Sequence, residues 1–246
     1  MNAPHDWIVP EWPAPVRVKS LITTRNGGAS SGAYATFNLG LRCGDEANAV
    51  NENRRQLRAL LPQEPRWLRQ VHGARAVVAD DLETAVEADA AVARHADTVC
   101  AVLIADCMPI LLCDDDAQAV AIAHAGWRGL SSGVIENCVS AMQITPSRLV
   151  AYLGPAIGPD AFEVGADVHE AFVARDAAAT AAFKPQREGK WLADLGLLAR
   201  QRLAGCGVTR VYGAGMCTYR DARRFYSYRR DRTTGRMAAL IWLAAP

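Results

Sequence analysis

Histidine is scarce in this chain, with five in 246 residues, and the seven cysteines form no CxxC pair. Scattered at positions 43, 100, 107, 113, 138, 206 and 217, the thiols outline neither a zinc finger nor the even-numbered framework of a disulfide-stapled secreted domain. Charge of one sign is also missing. Lys and Arg number 27 against 26 Asp and Glu, and a formal net charge of +1 offers no global field to draw the protein to nucleic acid or an anionic membrane. No apolar run approaches the roughly 20 residues of a membrane span, and "MNAPHDWIVPEWPAPV" lacks a basic lead followed by an apolar stretch. A cytoplasmic location is expected, with no membrane and no nucleic-acid partner. Repeats, low-complexity tracts and Pro/Gly/Ser linkers are absent too, which favours a single domain over 1–246 with an irregular N-terminal segment at 1–15.

What is present supports a substantial core, since half the residues are apolar. "VCAVLIAD", "PILLCDDD", "AVAIAH", "RLVAYLG" and "AALIWLA" read as buried strands, being rich in Val, Ile or Leu and bounded by polar or turn residues. "DEANAVNENRRQLRALL" predicts a helix capped by Asp45, and Leu130, Val134, Cys138 and Met142 recur at helical spacing. The alternation predicts a mixed α/β (α+β) fold, a mixed β-sheet core flanked by helices. "VCAVLIADCMPILLCDDDAQAVAIAH" leaves no room for helices between its three strands, so antiparallel pairing is expected there.

Three histidines have plain explanations: His5 lies near the terminus, His95 in polar "ARHADT", and His169 beside Glu170 on an expected helix. "HEAFV" lacks the second histidine of an HExxH zinc site. His72 in "WLRQVHG" and His124 in "AVAIAHAG" differ, because each ends an extended apolar stretch before a small residue, where sites tend to be built. Cys107 matches them, ending a strand just before Pro109 stops the ladder. Two imidazoles and a thiolate suit zinc and leave a fourth position open, as in catalytic sites. Alternatively, His124 is the base that deprotonates a nucleophilic Cys107, or Cys107 is simply a small buried hydrophobe.

The turn "GWRGLSSG" leads into a helix whose free amides, with Arg128, could hold a phosphate or oxyanion; Gly126 and Gly129 equally suit a tight strand-to-helix turn. "YRDARRFYSYRRDRTTGR" interleaves arginines with aromatics, which fits either stacking on bases or a solvated hairpin with salt bridges. Arg25 in "RNGGASSG" sits in a turn and is a further anion-contact candidate.

Taken together, "TTRNGGAS", "FNLGLRCGD", "RQVHG", "ADCMPILLCD", "AHAGWRGL", "LGPAIGPDAFEVG" and "CTYRDARRFYSYRRD" closely resemble the laccase-domain family of YfiH-type, or polyphenol-oxidase-type, purine nucleoside phosphorylases, nearly end to end. Cys43 departs from the His or Val that relatives often carry there. The resemblance implies a fold like that of cysteine deamidase toxins and a zinc site at His72, Cys107 and His124. It also implies phosphorolysis of adenosine, inosine, guanosine and methylthioadenosine, and deamination of adenosine. Some relatives are linked instead to editing of peptidoglycan precursors.

A multicopper oxidase needs more histidine ligands than five can supply. Copper can still occupy a His-Cys-His site in vitro, which makes polyphenol oxidase activity a secondary expectation. For deamination, metal-activated water would attack the purine C6 with Asp106 or Glu163 moving protons. For phosphorolysis, Arg25, Arg128 and Arg229 are the candidates for holding phosphate. A Cys107-His124 thiol hydrolase and a non-catalytic nucleotide or RNA binder are the rival expectations, and the latter sits poorly with near-neutral charge.

Overall fold

All five segments rich in Val, Ile or Leu form strands. The structure is a computed structural model describing residues 6–246; His5 lies outside the described residues. In chain order the strands are β1 (Val18–Ile22), β2 (Arg66–Trp67), β3 (Ala76–Val78), β4 (Ala90–Ala93), β5 (Cys100–Ile104), β6 (Met108–Asp114) and β7 (Val120–Ala125). They continue as β8 (Leu149–Leu153), β9 (Glu163–Gly165), β10 (Phe183–Arg187), β11 (Lys190–Ala193), β12 (Arg210–Gly213) and β13 (Met237–Leu243). The helices are α1 (Ala47–Arg58), α2 (Trp127–Ser132), α3 (Val134–Met142), α4 (Ala166–Val173), α5 (Leu195–Gly205) and the short α6 (Tyr228–Asp231). Among the described residues, no helix is long and apolar enough to cross a membrane.

The result is a mixed α/β single domain. One sheet runs β1-β13-β5-β2, a second β12-β8-β6-β7-β4-β3, and a small third β10-β11-β9. The two larger sheets share an apolar layer: Val102, Ile104 and Ile241 from the first meet Leu111, Ile122 and Val150 from the second. The other face of the six-stranded sheet, with Ile110, Leu112 and Ala121, packs against Leu130, Val134, Cys138 and Leu198 of the helices. Successive residues of β6 therefore point into two different apolar layers, and the strand is buried throughout. That is why its sequence is a continuous apolar run without alternation. Outside the four-stranded sheet, Leu57 of α1 joins Phe37 and Leu240.

Four local expectations are corrected. β6 and β7 pair antiparallel as expected, but β5 belongs to the other sheet, where it pairs with β13 and β2. The chain thus changes sheets within Ala105–Cys107. Pro109 stands near the start of β6 rather than ending a strand; its carbonyl accepts the Gly154 amide at 2.9 Å, and proline's missing donor is tolerated there. The helical spacing from Leu130 to Met142 spans two helices, because Gly133 at φ 98° breaks them. The position capping α1 is Glu46, not Asp45. Asp45 instead accepts from Ser30 Oγ at 2.6 Å and Asn38 Nδ2 at 3.0 Å.

Candidate metal centre

Strand register assembles the site. β7 lies between β6 and β4, and the pairing of Ala123 with Ala90 sets Asp89, the residue before β4, beside His124. The His124 amide donates to the Asp89 carbonyl at 2.7 Å. On the other side, pairing of Ala125 with Met108 sets Gly126 beside Cys107. His124 is the penultimate residue of β7, whereas His72 is not on a strand. The strand there ends at Trp67, an isolated bridge joins Arg69 to Glu87, and His72 occupies a turn at φ 60°.

Such left-handed backbone is unfavourable for a non-glycine residue, and Asp89 holds it in place. The carboxylate accepts the amides of Val71 at 3.1 Å, His72 at 3.0 Å and Gly73 at 2.8 Å. It also bonds His124 Nδ1 at 2.9 Å. Burial disfavours the charged form of Asp89, yet the bonds from His124 and Gly73 leave its carboxyl below the usual range. An ionised carboxylate can only accept, so Nδ1 carries the proton and Nε2 is left to face the site.

His72, Cys107 and His124 each offer a ligand atom, and these atoms lie within 4.8 Å of one another. The two imidazoles meet edge to face, with centroids 4.9 Å apart. Gly126 makes room for the cluster, since a Cβ there would stand 2.7 Å from Cys107 Sγ and 3.5 Å from His72 Cδ2. Burial works against the Cys107 thiolate, but attraction to His124 and hydrogen bonds from both histidines bring the thiol down to about 6. Burial likewise opposes charge on His124, while the Cys107 thiolate and Asp89 hold it up at about 9. Each charge favours the other, which draws the metal-free pair toward thiolate and imidazolium. Two imidazoles, a thiolate and a carboxylate behind one imidazole are the donor set and outer partner of a zinc site, so these residues fit that ion. Zinc uptake would displace any proton held on Sγ of Cys107 or Nε2 of His124.

The trio opens into a cleft of about 770 Å³ lined also by Asp106, Trp127, Arg128, Phe162 and Arg229. Asp106, at φ 97° in the sheet crossover, accepts from Thr218 Oγ1 at 2.6 Å and from the Arg229 amide at 2.7 Å. Both of its oxygens are engaged. Arg229 lies 5.1 Å from the Phe162 ring and donates to the Glu163 carbonyl at 2.8 Å. Arg128 lies 4.3 Å from the Trp127 ring. Arg25 stands outside this cleft: it donates to the carbonyls of Ala35 and Ala222 and covers the Tyr226 ring at 4.8 Å. Glu163 is also outside, paired with Arg187 at 3.0 Å.

The remaining residues singled out from sequence lie elsewhere. His95 is exposed, and His169 stacks on Trp191 at 4.5 Å. The arginine-rich segment is a run of turns and α6 rather than a hairpin, because Arg230 donates to the carbonyls of Thr218, Tyr219 and Phe225 and pulls the chain into a knot of turns. Asp89 is the residue that sequence reasoning missed. Its only signal was a lone carboxylate before the apolar "AAVA", and its partner His124 is 35 positions away.

The chain is similar to known proteins over nearly its whole length. Residues 19–244 match the family described as multi-copper polyphenol oxidoreductase laccase. The chain is 51% identical to purine nucleoside phosphorylase YfiH of Escherichia coli over 239 residues, covering 96% of this chain and 98% of that protein. It is 48% identical to a purine nucleoside phosphorylase of Pseudomonas aeruginosa, with 99% of each covered. Among solved structures, a Neisseria meningitidis protein superposes with a TM-score of 0.94 at 48% identity, over 98% of this chain and 100% of that one. YlmD from Geobacillus stearothermophilus gives 0.87 at 31% identity, over 100% and 98%. On sequence and fold, the chain belongs to the laccase-domain family of YfiH-type proteins.

Proposed function

We propose that the chain is a zinc-dependent enzyme of purine nucleosides that works in the cytoplasm. It catalyses phosphorolysis of adenosine, inosine, guanosine and methylthioadenosine, and deamination of adenosine. The observation that carries this reading is the Asp89-oriented His124 beside Cys107 and His72, at the base of an arginine-lined cleft. Relatives about half identical to the chain bear the name purine nucleoside phosphorylase. Bound zinc supplies Lewis acidity and makes a nearby water more acidic.

The chain's own residues divide the rest of the work. In phosphorolysis a phosphate oxygen forms a bond to the ribose C1′, the C1′–N9 bond breaks, and the departing purine takes up a proton. Arg128 and Arg229 hold the anion; each is braced against an aromatic ring, Trp127 and Phe162, and planar forks match phosphate oxygens. In deamination water adds at C6 and ammonia leaves. Asp106 acts as a positioning residue in both, because its two oxygens hold Thr218 and the Arg229 amide.

The thiolate-imidazolium character of Cys107 and His124 favours a second reading, a thiol hydrolase or amidase acting on peptidoglycan precursors. Alkylation separates the two. With zinc bound, Cys107 is expected to react slowly with iodoacetamide, and quickly once a chelator has stripped the metal, its rate then following a thiol titrating near 6. Fast alkylation in the presence of zinc, with activity lost in step and no metal requirement, would favour the hydrolase.

A further inference from the structure

The cleft has a second wall. Loop residues Gly40, Arg42 and Cys43, Arg54 of α1, and Tyr228, Arg232 and Arg236 line the same cleft as the metal-ligating trio. They form one contiguous patch. A Cβ on Gly40 would meet Cys43 Sγ at 2.4 Å and Arg236 Cγ at 2.9 Å, so the Arg236 stem lies directly over the loop. Arg54 donates from Nε to the Leu39 carbonyl at 2.9 Å and lies 4.3 Å from the Trp67 ring. Arg236 donates from one terminal nitrogen to the carbonyls of Thr234 and Gly235, each at 2.9 Å, and lies 6.0 Å from the Tyr228 ring. Arg232 approaches the same ring at 5.8 Å.

This wall carries more cation than anion. Among the described residues none of Arg42, Arg54, Arg232 and Arg236 pairs with a carboxylate, although most arginines on the rest of the surface do. Among the same described residues Asp106 is the only carboxylate lining the cleft, and its oxygens are taken by Thr218 and Arg229. The acidic groups nearest the wall are engaged as well. Asp45 serves Ser30, Asn38 and the Glu46 amide, and Glu64 serves Trp67 and Arg58. Four guanidinium groups in a concave wall, two of them held in place by carbonyls, focus potential on an anion. Their planar forks match the oxygens of a tetrahedral one. With a total charge of only +1, the cation density is local to the cleft rather than a general property of the surface.

We propose that Arg42, Arg54, Arg232 and Arg236 form a phosphate-group subsite. It takes either the free phosphate of phosphorolysis or a phosphate carried on the nucleoside itself. This assignment rests on the nucleoside reading above and adds to Arg128 and Arg229 a second set of guanidinium donors lining the same cleft. Arg54 and Arg236 supply fixed donors, and the exposed Arg42 and Arg232 close over the anion from the rim.

The test is calorimetric titration of the zinc-loaded protein with inorganic phosphate, adenosine and adenosine monophosphate, without turnover. It compares wild type with the Arg42→Gln/Arg232→Gln double variant and, separately, with Arg54→Gln. The double variant changes two exposed side chains with no carboxylate partner, so it folds even if Arg54→Gln does not. If free phosphate is the occupant, its Kd rises at least tenfold in the variants. If the phosphate is carried on the nucleoside, wild type binds the monophosphate more tightly than adenosine, and that ratio falls at least tenfold. Unchanged affinity of the double variant for both phosphate ligands, or failure of wild type to bind either at millimolar concentration, overturns the subsite. A protein that binds phosphate through these arginines but does not split nucleosides keeps the subsite and refutes the phosphorylase reading.

Discussion

The Asp89→Asn protein is expected to bind zinc about 10- to 100-fold more weakly than wild type, the usual effect of removing a partner that orients a metal-ligating histidine. Three consequences combine. The amide cannot accept on both sides, so at least one of the donors from Val71, His72, Gly73 and His124 loses its acceptor. The His72 turn at φ 60° loses part of what holds it. His124 loses the anion that fixes the proton on Nδ1 and so leaves Nε2 for the metal. Because the site is buried, the metal-free variant should also lose about 3 kcal/mol of stability, as when one partner of a buried ionic pair is removed. Competition with a chromogenic chelator measures the first effect and urea unfolding the second. Wild-type affinity in the variant would show that Asp89 does not orient the site.

Gly126→Ala should separate the site from the fold. The backbone at Gly126, φ −76° and ψ 169°, is accessible to any residue, so alanine adds no backbone strain. Its methyl would stand 2.7 Å from Cys107 Sγ, closer than a carbon and a sulfur can approach, and the sulfur must move. The sulfur is the end of a short side chain on a turn, whereas the surrounding strands are locked by ladders. Overpacking at one such point costs about 1–3 kcal/mol, with the displacement concentrated on Cys107. Zinc affinity and nucleoside turnover are expected to fall at least about tenfold, the price of shifting a ligand by a fraction of an ångström, while the folded protein remains the dominant species. Circular dichroism with metal titration checks both parts. Full zinc affinity in a folded Gly126→Ala protein would mean that Cys107 is not a ligand.

Much of this was legible in the sequence for a simple reason. β6 and β7 are buried on both faces, so their composition alone marks them as strands, and His124 stands out as the only imidazole in them. What the sequence concealed was pairing. Nothing local says that β5 leaves for another sheet at Asp106, or that Pro109 opens β6 beside His124. Asp89 was hidden because its role depends on the β4–β7 register, which brings together residues 35 positions apart. The arginines show the converse. Arg128 and Arg229 line the cleft, while Arg25, in an equally suggestive turn, is consumed by the carbonyls of Ala35 and Ala222. Residue type and turn context are the same inside and outside the cleft; only tertiary position shows which guanidinium lines it.

Formation of ribose 1-phosphate from inosine and inorganic phosphate by the zinc-loaded protein, followed before and after removal of the metal, decides whether the site does what its geometry suits it for. A zinc-dependent phosphorylase yields hypoxanthine and ribose 1-phosphate in equal amounts, formed only when phosphate is present, lost on chelation and restored by zinc, and this is the expected result. Release of hypoxanthine that is independent of phosphate, or phosphorolysis that persists undiminished in the metal-free protein, would contradict it.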